Sequence, residues 1–328
     1  YLCYKNTLMT IFLPNFIKNI FFFSSIIFVV FACKNENQNK LKVNIDRFDK
    51  KFQLSDSIEL AELKKNYPYF FPSNYPDEVW KNRKKDSIQI EIFNQVENIF
   101  NEDEFLNNKL SNFFSRKKKY YKKFQLPKII SVITDVDYNN RVILTDSILL
   151  LGLDNYLGSD HYFYDGLPNF IKEDLKKQNI ISDIAEEYAR KSILKKKMYT
   201  FLEKIIYHGK ILYYKDIMIP EEHDHLKMGI SLNKLNWAIA NESKVWGYFI
   251  ENEILFNPDI NLGKRFIDDA PFSKFFLEID NDSTEKIGRF IGWNIVRSFM
   301  KNNNMSFEKM LQLDPKDIYY NSKYKPIR

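Results

Sequence analysis

His223 and His225, separated only by Asp224, are the one pair of histidines in this sequence spaced to share a metal ion. Two imidazoles can ligate zinc, but a zinc centre needs a third protein ligand, and the surrounding pattern offers none. Alternate residues face one way only on a strand, and the preceding Pro220-Glu221-Glu222 reads as a loop. The segment is expected to be an exposed polar loop, with a metal pair as the competing reading. Asp154, Asp160 and His161 surround a turn containing Gly158. Asx-turn hydrogen bonding accounts for those carboxylates, against the alternative of a hydrolytic carboxylate pair. His208 is the remaining histidine.

Ala185-Glu186-Glu187-Tyr188-Ala189 has the spacing of a zinc-protease helix, with alanine where each histidine would stand. Such helices place two imidazoles at i and i+4 with a glutamate beside the first as general base. Glu186 keeps the base position, but two methyl groups cannot hold zinc. Any amphipathic helix can produce this match. There is no HExxH, no Gly-rich phosphate loop, no GxSxG and no Cys/His metal pattern. No catalytic residue, metal or cofactor is therefore named, and Glu186 is expected to behave as an exposed helix residue.

The elements that would position these residues are mostly helical. Ile88, Ile92, Val96 and Ile99 mark a helix over Asp86 to Phe100, and Phe105 to Phe114 a second. Arg116 to Lys123 reads as a solvated helix end, and Tyr67 to Pro72 as a rigid aromatic turn. Lys128 to Thr134, Arg141 to Leu144 and Ser147 to Leu153 are strand-like and imply a small sheet with a hairpin. Ile181, Ile184, Ala185, Tyr188, Ala189 and Ile193 form one apolar stripe on a helix opened by Asp183. Thr200 with Glu203 forms a capping box for the next helix, for which Gly209 is the expected stop. Leu232 to Phe256 is a long helix or a broken pair. Asp282 with Glu285 is expected to cap Ile287 to Met300, and Asp314-Pro315 to start a last short helix. Trp237, Trp246 and Trp293 fall in helical patterns and read as core aromatics. Gly288 and Gly292 would admit a close backbone approach by the Leu232 to Phe256 segment or by the Glu186 helix. Arg265 and Lys274 flank Ala270-Pro271-Phe272-Ser273, a loop expected to be held by a buried Arg ion pair, with a docking edge as the alternative. Ser322 to Pro326 is equally a structural lock or a binding peptide.

The N-terminal segment points outside the cytoplasm. An apolar run from Ile20 to Phe31 follows Lys18 and ends at Ala32-Cys33, after which the chain turns polar. That is the layout of a bacterial lipoprotein signal, too short for a spanning helix of about 20 apolar residues. Residues 1–32 are expected to be the signal peptide, with Met9 the start and Tyr1 upstream read-through. Residues 33–45 would form a polar tether and residues 46–328 a single domain. Cys33 would carry palmitate-type lipid, and Lys34 after it, rather than aspartate, favours the outer membrane facing the periplasm over the inner membrane. The only other cysteine is Cys3, so the folded part has no thiol for a disulfide, a metal or a nucleophile. Removing Lys5 and Lys18 from a formal charge of +6 leaves about +4, no footprint for nucleic acid.

Several phrases together resemble the GldB family of gliding-motility lipoproteins of Bacteroidetes: Tyr67 to Pro72, Gly152 to Gly158, Gly209-Lys210, Trp237 with Asn241-Glu242, Arg265-Phe266, Ala270 to Lys274, Ile291 to Ser298 and Ser322 to Pro326. Thr284-Glu285 departs from the Pro-Gly of that pattern. The resemblance implies a non-catalytic envelope lipoprotein of the gliding and associated secretion machinery, acting through contacts with other envelope proteins. It also implies a distant likeness to zinc proteases whose helix does carry HExxH. Ala185, Glu186 and Ala189 would then be vestigial positions, with Glu242 at the place of the third ligand. The fold expected is α+β, mainly helical and zincin-like, with one small central sheet. Two alternatives stand beside it: an envelope metallo-hydrolase using Glu186, Glu242 or the His223/His225 pair, and a lipoprotein binding a small molecule in a cleft lined by tyrosines and tryptophans.

Overall fold

Strand β2 (Lys128–Val132) is built from β-branched residues that bury both of its faces, and the fold is organised around it. A computed structural model describes residues 40–101 and 104–326. The expected signal peptide, the expected lipidation at Cys33 and most of the expected tether lie outside the described residues. The sheet order is β1-β2-β4-β3, with β1 (Ile45–Arg47) and β4 (Ile148–Gly152) parallel to β2. β3 (Val142–Leu144) is antiparallel on the edge and forms the expected hairpin with β4. Val43 is already buried and Ile45 pairs with Ile129, so packing begins within the last residues read as tether.

Side chains alternate across the sheet. Ile129, Leu149 and Leu151 face the main helical core, whereas Ile130 meets a smaller cluster of Phe48, Leu60, Leu63, Tyr67 and Phe71. That second cluster comes from α1 (Phe48–Leu54), α2 (Ser57–Asn66) and the aromatic turn, which tightens into a 3-10 turn at Pro68–Phe70. The crossover continues through α3 (Asp77–Lys85), α4 (Ser87–Phe100) and α5 (Glu104–Tyr120). After the sheet come α6 (Asn169–Lys172), α7 (Ile180–Ser192), α8 (Phe201–Met218), α9 (Asp224–Met228), α10 (Leu232–Glu251), α11 (Asn261–Phe266), α12 (Ile287–Asn302), α13 (Phe307–Gln312) and α14 (Pro315–Asn321). The fold is mainly helical α+β with one small sheet, as expected. Among the described residues no helix is long and apolar enough to cross a membrane.

The capping boxes and stops of the sequence reading meet different fates. Thr200 and Glu203 do cap α8, and Asp314 caps α14. Gly209, however, is no stop: it lies inside α8 and marks its crossing with α12. A Cβ on Gly209 would lie 2.2 Å from Gly292 O, and a Cβ on Gly292 would lie 1.8 Å from Ile205 O. The close approach expected at Gly292 is therefore real, but its partner is α8 rather than α10 or α7. Asp282 and Glu285 do not cap α12. Its N-cap is Lys286, held left-handed at φ 58° with no side-chain cap, while Asp282 closes a 3-10 turn. Trp293 is fully buried, and Trp237 and Trp246 pack half-buried against the core.

The basic run after Phe114 is not wholly solvated either. Lys117, in the last turn of α5, is 5% exposed and donates to Tyr214 Oη at 2.9 Å. Its ammonium lies 4.3 Å from the Tyr121 ring centre and 4.5 Å from that of Tyr188. Burial pushes this lysine down to about 8. Lys210 is also pushed down to about 8 by burial, its ammonium bound to the Leu311 and Leu313 carbonyls.

Two outcomes follow from this packing. Gly292→Leu should lower unfolding stability by about 3 kcal/mol, the upper range for overpacking, read as a shift in urea midpoint; an unchanged midpoint would contradict the crossing. Lys117 and Lys210 bind fewer protons folded than unfolded between about pH 8 and their unfolded value near 10.5, so they make stability rise with pH in that window. Lys117→Met should remove roughly half of that slope, measured by thermal melts below pH 10, before the buried tyrosines begin to act in the opposite direction.

Candidate functional site

Helix α7 turns its apolar stripe to the core and its charged face to an open cleft of ≈610 Å³. Ala185 and Ala189 belong to the first face and are fully buried among apolar side chains. Glu186 belongs to the second. The two positions where ligands would stand thus face packed core and not the cleft, so the likeness to a zinc protease is not visible in the geometry. Among the described residues no group of three or more His, Cys, Asp or Glu side chains is placed to hold a metal ion.

Besides α7 itself, the cleft walls come from several parts of the chain, among them the stretch from Pro168 to Asn179 that precedes it. The loop before β3 supplies Tyr138, Asn139 and Arg141. Arg141 clamps Asp183 in the first turn of α7, at 2.7 and 3.1 Å, and Tyr156 Oη adds a third bond to the same carboxylate at 2.8 Å. Asp183 thus ties helix to sheet from the first turn of α7, which begins three residues earlier at Ile180. The end of α8 contributes Lys215, and α9 with its left-handed stop Gly229 closes one side. The segment Asp268 to Arg289 closes the other, with Lys286 Nζ 2.6 Å from Asp269 and donating to the Gly229 carbonyl at 3.1 Å.

Glu186 is not an exposed helix residue. It accepts from Lys215 Nζ at 2.8 Å and from Arg190, one helical turn on, at 2.6 Å. Burial alone would raise its pKa, but Lys215, Arg190 and Arg289 outweigh burial and hold it well below the usual carboxylate range. A carboxylate so paired is a poor general base. His208, on α8, is pushed well below its ordinary value, by burial and then by the Arg289 charge, and so stands neutral.

The other singled-out residues do not join this cleft. Glu242 is buried on α10, where it accepts from Asn294 at 3.0 Å and from Tyr324 Oη at 2.7 Å. It anchors the C-terminal tail, so Ser322 to Pro326 acts as a structural lock. His223 is the exposed N-cap of α9, and its ring stacks 5.8 Å from that of His225, so the pair sits at a helix start and not on a strand. Asp154 is fully buried and accepts from the backbone N–H of Thr134 and of Val136, at 3.0 and 2.7 Å. It pins a loop twenty residues away rather than its own turn; Asp160 is exposed, and His161 Nδ1 accepts from Phe163 N–H at 3.3 Å. Among the described residues Arg265 makes no ion pair: Nε donates to the Lys274 carbonyl at 2.8 Å, and the guanidinium lies between the Phe266 and Phe276 rings at 4.7 and 4.5 Å.

Sequence reasoning missed the cations of this cleft. Arg190 was legible as the i+4 partner of Glu186, and Lys215 as a charge inside an otherwise apolar run. Lys286 and Arg289 gave no signal, because the placement of the start of α12 beside the cleft depends on its crossing with α8 and not on local pattern.

Glu186→Gln should lower stability by on the order of 2 kcal/mol, because Lys215, 3% exposed at the side chain, loses its carboxylate partner. The loss should appear at neutral pH and shrink as pH falls below about 4.5, where the unfolded carboxyl also binds its proton; an unchanged melt at pH 7 would remove the ion-pair role.

Residues 32–326 match the family model described as gliding motility protein GldB, whose label, GldB_lipo, marks a lipoprotein family. No curated protein and no solved structure matches the chain. The match spans nearly the whole sequence, including the cleft and the tail lock, and the chain therefore belongs to the GldB family of gliding motility proteins.

Proposed function

We propose that this chain is a non-catalytic lipoprotein of the cell envelope, held to the membrane by lipid on Cys33, that serves gliding motility and its associated secretion machinery through contacts with other envelope proteins. Family membership supplies the process. The observation that carries the non-catalytic reading is Glu186, the residue at the general-base position of α7, which is locked between Lys215 and Arg190. A candidate contact face lies on the loop that Arg265 holds in place, where Phe276 is 75% and Leu277 55% exposed. Large apolar side chains presented side by side on a braced loop suit a partner surface. Lys34 beside Cys33 favours the outer membrane, with the domain in the periplasm.

Crosslinking in intact cells followed by affinity capture tests this reading. The wild-type protein should capture other envelope proteins of the motility and secretion machinery. Phe276→Asp with Leu277→Asp should leave the melt within about 1 kcal/mol of wild type, the size of the exposed Arg265–Phe276 contact it removes, while losing capture and gliding, and Cys33→Ala should lose lipid labelling. Unchanged capture by the double variant would remove the proposed contact face. Stoichiometric zinc with a Glu186-dependent hydrolysis would overturn the non-catalytic reading.

A further inference from the structure

Most charges in the cleft are matched within it: Arg141 with Asp183, Lys215 and Arg190 with Glu186, and Lys286 with Asp269. Three groups are left with open capacity. Arg289 is committed only through Nε, which donates to the Ile267 carbonyl at 2.7 Å; among the described residues it has no ion pair, so both Nη nitrogens are open to an anion. Asn179 lines the cleft and is 4% exposed, yet its Oδ1 accepts no hydrogen bond. Its amide nitrogen is already used, donating to the Asp174 carbonyl at 3.0 Å, which fixes the side-chain orientation. Asp174 is the third: its carboxylate has only two long partners, Lys286 Nζ at 3.5 Å and the Asn179 amide at 3.4 Å, which leaves lone pairs for a closer donor. Buried acceptors without donors are rare in folded proteins because desolvation leaves them uncompensated.

The backbone around these groups is strained. Lys286 is left-handed at φ 58°, and Asp135 and Val136, just before the Tyr138 to Arg141 wall, are left-handed at φ 59° and 60°. Asp154 holds that second strained turn by accepting from Val136 N–H. For the β-branched Val136 this conformation is unfavourable and persists only because the surroundings enforce it. The wall is thus held in place beside the open groups.

A guanidinium with a free fork, one acceptor without a donor and one carboxylate with only long partners, all in one cleft, suit a ligand with both kinds of end. We propose that the cleft binds a zwitterion bearing a primary ammonium and a carboxylate, either a free amino acid or a short peptide with both termini free. The ammonium donates to Asn179 Oδ1 and the Asp174 carboxylate, and the carboxylate accepts from Arg289. The ≈610 Å³ of the cleft is in the range of small-ligand sites and accommodates a short peptide. This goes beyond the partner contacts proposed above and does not depend on them, since the apolar face at Phe276 is a different surface.

Calorimetric titration of the detergent-solubilised full chain tests the proposal with five probes: alanine, trialanine, trialanine amide, N-acetyl-trialanine and N-acetyl-trialanine amide. Trialanine, alanine or both should bind, and blocking either terminus should weaken trialanine by tenfold or more. Preference for alanine assigns the site to free amino acids and preference for trialanine assigns it to peptides; equal affinity for both, which groups at one spacing cannot give, counts against the proposal. Arg289→Gln should weaken trialanine while leaving the already weak trialanine amide unchanged, and Arg289→Lys, which retains the charge, should recover part of the affinity. No heat with either uncapped probe at millimolar concentration overturns the proposal, as does equal affinity for capped and uncapped trialanine.

Discussion

Backbone contact between Gly209 on α8 and Gly292 on α12 is the constraint on which the helical half of this molecule depends. Each glycine faces the main chain of the other helix at a distance that no Cβ could occupy. Packing of this kind removes sliding freedom, because any other register would bring a side chain into the crossing. With the crossing fixed, the ends of both helices are fixed as well. Asp216 near the end of α8 then meets Trp293 Nε1 at 2.8 Å and Arg297 Nε at 2.8 Å on α12. Lys215, its neighbour in sequence, turns to Glu186 on α7. One crossing thus aligns three helices and sets one wall of the cleft.

Charges inside this fold are arranged mostly as closed sets. Asp216 is shared by Trp293, Arg297 and Lys227, and Arg297 lies 3.6 Å over the Trp293 ring. Glu186 is shared by Lys215 and Arg190. Buried ion pairs add little net stability over well-packed apolar side chains, but losing one member leaves the other costly. Such sets therefore penalise wrong arrangements more than they stabilise the right one. Lys117 solves the same problem without a carboxylate, by placing its ammonium among tyrosine rings.

The small sheet serves the cleft by supplying a rigid edge. β2 is covered on both faces, so β4 and β3 are held against a packed centre. The strained turn at Asp135 and Val136, fastened by Asp154, then carries Arg141 to Asp183. That bidentate bond ties the edge of the sheet to α7 beside the apolar packing, and the open capacity of Arg289, Asn179 and Asp174 lies in the same cleft.

Local patterns alone specified the helices with strong caps, the β-branched strands, the hairpin and the mainly helical class, because periodicity and capping act over a few residues. The same patterns identified Trp293 as core and Gly292 as a place of close approach. They could not say which helix approaches Gly292, and they misread Gly209 as a stop, since a glycine in a helix looks the same in sequence whether it ends the helix or admits a neighbour. β1 escaped notice because three residues carry no period. Glu186 looked solvent-facing because Lys215 is twenty-nine residues away in sequence, and Glu242 looked like its companion because both are carboxylates on helices. Only the tertiary structure decided that one faces a charged cleft and the other the C-terminal tail. Burial and pairing of charge depend on contacts between distant segments, and those are set by how helices pack, not by the residues beside each charge.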